Sequence, residues 1–303
     1  MHIKTAEFLN AWARLDECRR SRLFDGDPLH LRLLGVSGLG KSFLLKRYRE
    51  AHPPTKLAGR TTVPVAYVPI PCAPTVKSVY VAMLIALGVP DPKGTAEDLR
   101  QRAIALYRSC GVEICLFDEI NHFVDGGRIK HRETAADALK MALESIQLPS
   151  AFCGARRSLA LYEQNMQFRS RVTSSLTLHP FSLERSRFDE LRGFISALAG
   201  VLLGPDAGAH LASHEFAERI FYASDGIHRN ISRFLYGLAG RGWKVPSELD
   251  FGNLAIAFED YLWEEAPETL NPFKGKFAFR RLNRVNEPYV PTEFDGDNHA
   301  LAA

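Results

Sequence analysis

The octet Gly35-Val-Ser-Gly-Leu-Gly-Lys41-Ser42 fits GxxxxGK[ST] at each fixed position. It lies between an apolar run that reads as a strand, Leu31 to Gly35, and a segment of helical periodicity carrying Phe43, Leu44, Leu45 and Tyr48. That context is what the motif needs. Glycines let backbone N–H groups curl round phosphate oxygens, and the helix that follows turns its positive end toward them. Gly35, Val36, Ser37, Gly38, Leu39, Gly40, Lys41, Ser42 and Phe43 are therefore candidate nucleotide-binding residues. Lys41 is expected to reach the β and γ phosphates, and Ser42 to ligate magnesium.

Downstream, Ile114-Cys-Leu-Phe-Asp118-Glu119 is an apolar run that ends in two carboxylates. A strand ending there puts both acids at the C-terminal edge of a parallel sheet, beside the phosphate loop. Asp118 is the expected magnesium-side residue. Glu119 is the candidate general base, because a carboxylate at that point can orient and deprotonate the water that attacks the γ phosphate.

Outward from these motifs, residues 5 to 22 carry Phe8, Leu9, Trp12, Leu15 and Cys18 at helical spacing. Val63 to Ile70 reads as a strand, Val76 to Leu87 as a helix, and Val112 to Phe117 as a strand. Thr95, with Asp98 three residues on, caps a helix that runs to about Ser109. A helix at 133–146, a short run Ala151 to Cys153 and a further strand at Leu176 to Leu178 complete the alternation. Alternating strands and helices call for a parallel sheet covered on both faces. Beyond Ser182 the pattern turns helical at 184–203, 213–224, 228–240 and 250–265, broken by Gly204-Pro205, Gly226 and Pro246. The expected organisation is an α/β nucleotide-binding domain at 1–182, a helical domain at 183–271 and an extended or disordered tail at 272–303.

The chain has 303 residues with 38 basic and 35 acidic side chains, so any nucleic-acid contact must come from a local patch. Its longest apolar stretch, Tyr80 to Val89, is about half the roughly 20 residues a spanning helix needs, and the start lacks the apolar run of a signal peptide. A soluble, cytoplasmic protein is expected. Five cysteines at 18, 72, 110, 115 and 153 form no CxxC pair and suit reduced, mostly buried thiols. His210 and His214 share the spacing of a helical metal grip but lack an accompanying HExxH, so an ordinary helix surface is the preferred reading.

The order and spacing of several further phrases resemble the TniB/TnsC family of AAA+ ATPases, which regulate transposition, including that of CRISPR-associated transposons. These are Pro69-Ile-Pro-Cys-Ala-Pro-Thr75, Lys93-Gly-Thr95, Cys110-Gly-Val-Glu113, Phe168-Arg-Ser-Arg171, Gly226-Ile-His-Arg229 and Asn271-Pro-Phe273, and the resemblance spans about residues 12 to 273. It implies an AAA+ P-loop NTPase fold, a three-layer parallel sheet with a small C-terminal helical domain, and ATP and magnesium as cofactors. Arg171, or else Arg169, matches the arginine finger that completes a neighbouring subunit's site; a solvated basic helix end is the alternative. Arg229 resembles the arginine that the helical domain points at the nucleotide, unless it is an ordinary helix charge. Where the family carries a polar sensor, this chain has Ala155 followed by Arg156 and Arg157. Family members form rings or helical filaments on duplex DNA, and by alignment Lys77, Lys93 and Thr95 would touch its backbone, although Thr95 also suits a helix cap. A transposase and a TniQ-like target selector are the implied partners.

Two other classes compete. A small-molecule kinase could use the same phosphate loop, but adjacent Asp118 and Glu119 and a helical domain with Arg229 argue against it. Another AAA+ switch, clamp-loader-like or signalling, would share every nucleotide residue. In the tail, Lys274, Lys276, Arg280, Arg281 and Arg284 fall within eleven residues with Phe277 and Phe279 but no acid, before Glu287, Glu293, Asp295 and Asp297. The expectation is a segment that orders only on a partner such as the transposase, against a plain solvated end.

Overall fold

Strands form where apolar, β-branched residues run without interruption, and here five strands assemble into one parallel sheet beside a separate two-stranded hairpin. The computed structural model describes residues 3–24, 26–125, 137, 139–141, 143–164 and 166–290. Its strands are β1 (His30–Leu34), β2 (Thr55–Leu57), β3 (Arg60–Thr62), β4 (Val65–Pro69), β5 (Ile114–Asp118), β6 (Ser150–Gly154) and β7 (Ser174–Thr177). The main sheet runs β4-β5-β6-β1-β7, with every neighbouring pair parallel. β5 and β6 are buried along their whole length, which is why they read as continuous apolar runs rather than alternating ones. β7 is an edge strand of Ser174-Ser-Leu-Thr177 and carries little apolar signal.

The helices of the first part are α1 (Ala6–Arg20), α2 (Lys41–Ala51), α3 (Val76–Ala86), α4 (Ala96–Ser109), α5 (His122–Asp125), α6 (Leu159–Gln164) and α7 (Met166–Arg171). Tyr80, Met83 and Leu84 of α3 and Leu99, Ala103 and Tyr107 of α4 bury against Ala66, Val68 and Phe117 of the sheet. The Thr95 cap forms as expected: its hydroxyl accepts the Asp98 N–H at 3.2 Å, and the Asp98 carboxylate accepts the Thr95 N–H at 2.9 Å. α1 buries Ala11, Leu15 and Cys18 and anchors through Asp16, which accepts the Tyr48 hydroxyl proton at 2.7 Å. Leu9, expected on that apolar face, is exposed. Of the helix expected at 133–146, residues 137, 139–141 and 143–146 are helical, and 133–136 lie outside the described residues. The exposed β2–β3 hairpin was not legible, because none of its residues is buried to mark a face. All five cysteines are free.

The chain divides into two compact units. Among the described residues, one holds those within 7–37 and 41–178; the other holds 179–290 together with 3–6 and 38–40. The second is helical: α8 (Arg185–Leu202), α9 (Pro205–Leu211), α10 (His214–Ser224), α11 (His228–Gly240) and α12 (Phe251–Tyr261). Its core joins Leu191 and Ile195 of α8, Ile220 of α10, Ile231, Phe234 and Leu235 of α11, and Leu254 and Phe258 of α12. α9 occupies what reads as a break, since Pro205 at a helix start costs nothing: its missing N–H would have been unpaired there. His210 Nε2 lies 3.2 Å from the Leu249 carbonyl, and His214 packs edge-on to Phe188.

The tail departs from expectation as far as residue 290. It is irregular, as its aperiodic sequence demands, yet Phe273, Phe277 and Leu282 are buried in the helical core. Its basic cluster is spent on that unit rather than held for a partner: Lys274 pairs with Glu259 at 2.7 Å, Lys276 with Glu268, Arg281 with Asp225, and Arg280 with Glu287. Residues 291–303, with Glu293, Asp295 and Asp297, lie outside the described residues. Cutting the chain after Phe273 removes Phe277 and Leu282, each worth about 1.5–3 kcal/mol when buried. It also strands the carboxylate of Asp225. The truncated protein should lose at least ~3 kcal/mol of unfolding free energy in urea titrations, a large part of the ~5–15 kcal/mol a domain has. An unchanged midpoint would mean the segment is dispensable.

Candidate functional site

The parallel register fixes the site. Leu33 is level with Cys153, and Phe117 with Phe152, so Leu34, Gly154 and Asp118 finish their strands along one edge. From Leu34 the chain enters the glycine loop, and α2 starts at Lys41. Gly38 and Gly40 take φ of 91° and 85°, which only glycine adopts without strain. The first N–H groups of α2 have no intrahelical partner and carry the positive end of its dipole. The Lys41 amine donates to the Gly35 and Val36 carbonyls, each at 2.8 Å, so its charge lies against the loop itself. Ser42 is half-buried in the first turn, and Phe43 is exposed.

Asp118 is 2 % exposed. A buried carboxylate needs partners, and its two oxygens each have one. One oxygen accepts the Tyr67 hydroxyl at 2.7 Å, and the other accepts the Glu119 N–H at 3.0 Å. Burial, followed by the charge of Asp118, raises the Tyr67 phenol well above its usual range, so it stays a donor. Cys153 is raised likewise, first by burial and then by Asp118, with Lys41 opposing and Glu119 adding to the rise. Lys41, Asp118 and Glu119, three of the candidate site residues, all act on the charge of this one thiol. Glu119 itself is exposed and has φ of 57°. A left-handed conformation in a non-glycine residue is a strained arrangement that recurs at functional sites.

Beyond Glu119 the chain is tied to neighbouring strand ends. The Ile120 N–H donates to the Cys153 carbonyl at 3.0 Å. Buried Asn121 accepts the Ala155 N–H at 3.2 Å and donates to Asp125 at 3.0 Å, while His122 Nδ1 lies 2.8 Å from the Ile70 carbonyl. Arg157 forms a two-point ion pair with Asp125, and this contact holds the carboxyl of Asp125 below its usual range. Of the two arginines at the sensor position, Arg157 is therefore engaged in bracing α5. Tyr67, Asn121 and Cys153 were not singled out by sequence reasoning; the available signal was a polar side chain inside or just past a wholly apolar strand.

Other expected site residues lie elsewhere. Arg169 and Arg171 are exposed on α7, and Arg171 pairs with Glu144 at 3.1 Å. α7 leads into β7, whose Ser174 is level with Leu31 near the start of β1, and Arg171 helps lower the imidazole of buried His30 to about 4 after burial itself. Arg171 thus belongs to the entry end of the sheet, separated from its own phosphate loop by the length of β1, on the order of 13 Å for four steps of ~3.3 Å. In the helical unit, Arg229 is exposed, and its N–H donates to the Gly38 carbonyl at 3.0 Å. A Cβ on Gly38 would come within 2.8 Å of Ile227 and 3.1 Å of Arg229. Lys77 is exposed on the first turn of α3, Lys93 pairs with Asp91 in a highly exposed contact, and the Thr95 hydroxyl is occupied by Asp98.

This donor set fits a nucleotide with magnesium: an amine and helix N–H groups for phosphate, the hydroxyl of Ser42 and carboxylate of Asp118 for the metal, and Glu119 open to water. Fold and site together define a P-loop NTPase of the AAA+ class. Its sequence matches the bacterial TniB proteins over residues 9–182, and the chain belongs to that family. No curated protein is a significant match. Among solved structures, the ORC2 protein of Aeropyrum pernix in ADPNP-ADP complexes is similar at 20% identity and a TM-score of 0.57, covering 85% of this chain and 68% of that one. Cdc6p of Pyrobaculum aerophilum is similar at 14% identity and 0.57, covering 89% and 70%. A Walker-type ATPase of Pyrococcus abyssi is similar at 15% and 0.54, covering 84% and 70%. At such identities the likeness is one of fold. No described helix is long and apolar enough to cross a membrane.

The Tyr67 bond gives a direct test of how Asp118 is held. Tyr67→Phe removes one donor from a buried carboxylate, a loss that typically costs about 1–3 kcal/mol. Urea unfolding should register that drop, with little change in circular dichroism. An unaltered midpoint would show that another donor takes the place of the hydroxyl.

Proposed function

We propose that this chain is an ATP-dependent, DNA-binding regulator of transposition, which assembles on target DNA and recruits a transposase and a TniQ-like target selector. The observation that carries the reading is that the glycine loop and Lys41 follow the end of β1 on the same sheet edge where β5 ends in Asp118 and Glu119, in a chain of the TniB family. The nucleotide complexes of the ORC2 neighbour support the same use of the loop.

In this reading Lys41 and the first N–H groups of α2 hold the phosphates, while Ser42 and Asp118 hold magnesium, which neutralises charge on the phosphate oxygens when bound. Glu119 orients water and takes its proton. Arg171, with Arg169 as second choice, serves a neighbouring subunit. Its place at the far end of β1 favours action across an interface over action at home, and its pairing with Glu144 is exposed enough to exchange for a phosphate cheaply. Arg229 answers to the nucleotide from the helical unit. Lys77 and Lys93 meet DNA phosphates through charge alone, without a sequence code. Thr95 would add a phosphate contact only by sharing or redirecting its one hydroxyl proton, since phosphate oxygens accept and the cap already donates that proton to Asp98.

Two variants separate the roles at the phosphate site. Lys41→Ala should abolish nucleotide binding, whereas Glu119→Gln should bind ATP normally and turn over at least about a hundredfold more slowly, as expected for loss of a general base. Equal loss of affinity in both would contradict the assignment. The wider function is tested by electron microscopy of the protein with duplex DNA and either ATP or a slowly hydrolysed analogue. Rings or filaments that need both support the reading, and their absence favours a switch ATPase without a DNA filament. In binding titrations Lys77→Ala and Lys93→Ala should each lower the slope of log affinity against log salt by about one; an unchanged slope in both removes them from the interface.

A further inference from the structure

The turn Asp225-Gly-Ile227 connects α10 to α11 and so sets where Arg229 begins its helix. It is held with little freedom. Asp225 has φ of 55° and Gly226 has φ of 66°. A Cβ on Gly226 would come within 2.3 Å of the Phe181 carbonyl oxygen, so no other residue fits. The Phe181 N–H donates to the Gly226 carbonyl at 3.0 Å, the Gly226 N–H to the Phe221 carbonyl at 3.2 Å, and the Asn230 amide to the Ser224 carbonyl at 3.1 Å. At its exit the Arg229 N–H meets Gly38 of the phosphate loop.

The tail supplies the remaining grip. Asp225 is almost wholly buried, and Arg281 closes on it with two parallel bonds, Nε to Oδ1 and a terminal nitrogen to Oδ2, both at 2.6 Å. A planar guanidinium is the one side chain that satisfies both carboxylate oxygens in fixed orientation. Eight residues on, the Tyr289 hydroxyl donates to the Ala223 carbonyl, two residues before Asp225. Between these two anchors the tail is a closed loop: the Tyr289 N–H donates to the Leu282 carbonyl at 3.0 Å, the Glu287 N–H to the Arg284 carbonyl at 2.9 Å, and Arg280 pairs with Glu287. Leu282 plugs the loop into the core with no exposure. A solvated or partner-seeking tail has no need of a pre-closed loop, a buried plug and a bidentate bond to a buried acid, all aimed at one turn.

We propose that the loop of residues 280–289 is part of the nucleotide-sensing apparatus: Arg281, through Asp225, positions Arg229 beside the phosphate loop, so the C-terminal segment sets the affinity for nucleotide. Arg281 is a positioning residue in this scheme and touches no nucleotide. The inference rests on the reading of Arg229 as a nucleotide contact, and the two can fail separately.

The test uses the full chain carrying Arg281→Ala, Arg281→Lys, Arg229→Ala, or Arg281→Ala with Arg229→Ala, each titrated with a fluorescent ATP analogue and assayed for KM and kcat. Arg229→Ala should weaken nucleotide binding about tenfold, as loss of a charged phosphate contact does. Arg281→Ala should raise Kd and KM by a similar factor, Arg281→Lys should recover part of it, and the double variant should be no weaker than Arg229→Ala alone. Additive losses in the double variant, or wild-type affinity in Arg281→Ala, overturn the inference while leaving Arg229 in place. If Arg229→Ala itself binds normally, the underlying reading of Arg229 falls and the positioning role falls with it. Should Arg281→Ala not fold, as judged by loss of its thermal transition, Arg281→Lys carries the same comparison, because it keeps the charge and loses the two-point geometry.

Discussion

A parallel sheet delivers the C-terminal end of every strand to one edge, and in this chain that edge gathers the groups of the candidate phosphate site. β1 releases the glycine loop, β5 ends at Asp118, and β6 contributes Cys153 and Gly154. The register brings the loop that carries Lys41 to the same edge as two carboxylates separated from it by more than seventy residues of chain. The cost of the arrangement is a carboxylate at Asp118 taken out of water, which must find donors inside the fold. Tyr67 and the Glu119 N–H supply them. β4, whose sequence carries no nucleotide motif, is therefore as necessary to the site as the motif strand it flanks.

The same logic of satisfied charge governs the helical unit. Asp225 is buried at the end of α10 and is matched by Arg281, as Glu259 is matched by Lys274 and Asn271 together. For Glu259 the Lys274 bond, followed by that of Asn271, holds the carboxyl below its usual range even against desolvation. Charges that look like a basic surface patch in the sequence are thus internal counter-ions, and a cluster of five cations within eleven residues leaves little net field once four are paired.

Sequence patterns read the motif-bearing half well for physical reasons. Continuous apolar runs survive as β5 and β6 because a strand covered on both faces tolerates nothing else, and the Thr95 cap was legible because capping is chemistry local to four residues. The four long helices past residue 182 appear within a few residues of their periodic segments. Features that depend on distant partners were not legible. α9 begins at a proline that reads as a break, the β2–β3 hairpin buries no face, and the tail has no period at all, because it is held by single anchors such as Leu282 and Tyr289 rather than by a repeated stripe. In the site, the phosphate loop and the two acids were found from spacing, while Tyr67 and Asn121 depend on which strands lie side by side, and a linear pattern does not contain that.

Arg171 shows how topology constrains a role that spacing alone left open. A cation in a basic helix end suits a solvated surface or a phosphate contact equally well. Once β7 is paired with β1 in parallel, however, the helix before β7 must lie at the entry end of the sheet, and the phosphate loop must lie at the exit. An arginine side chain spans roughly 6–7 Å, short of the ~13 Å that four strand residues cover. If Arg171 touches a nucleotide, it is therefore another subunit's, and the same parallel pairing that gathers Lys41, Asp118 and Glu119 within one chain excludes this arginine from joining them at home. On the proposed reading of Arg171, the site would be incomplete in the monomer, and assembly would have a direct hold on hydrolysis.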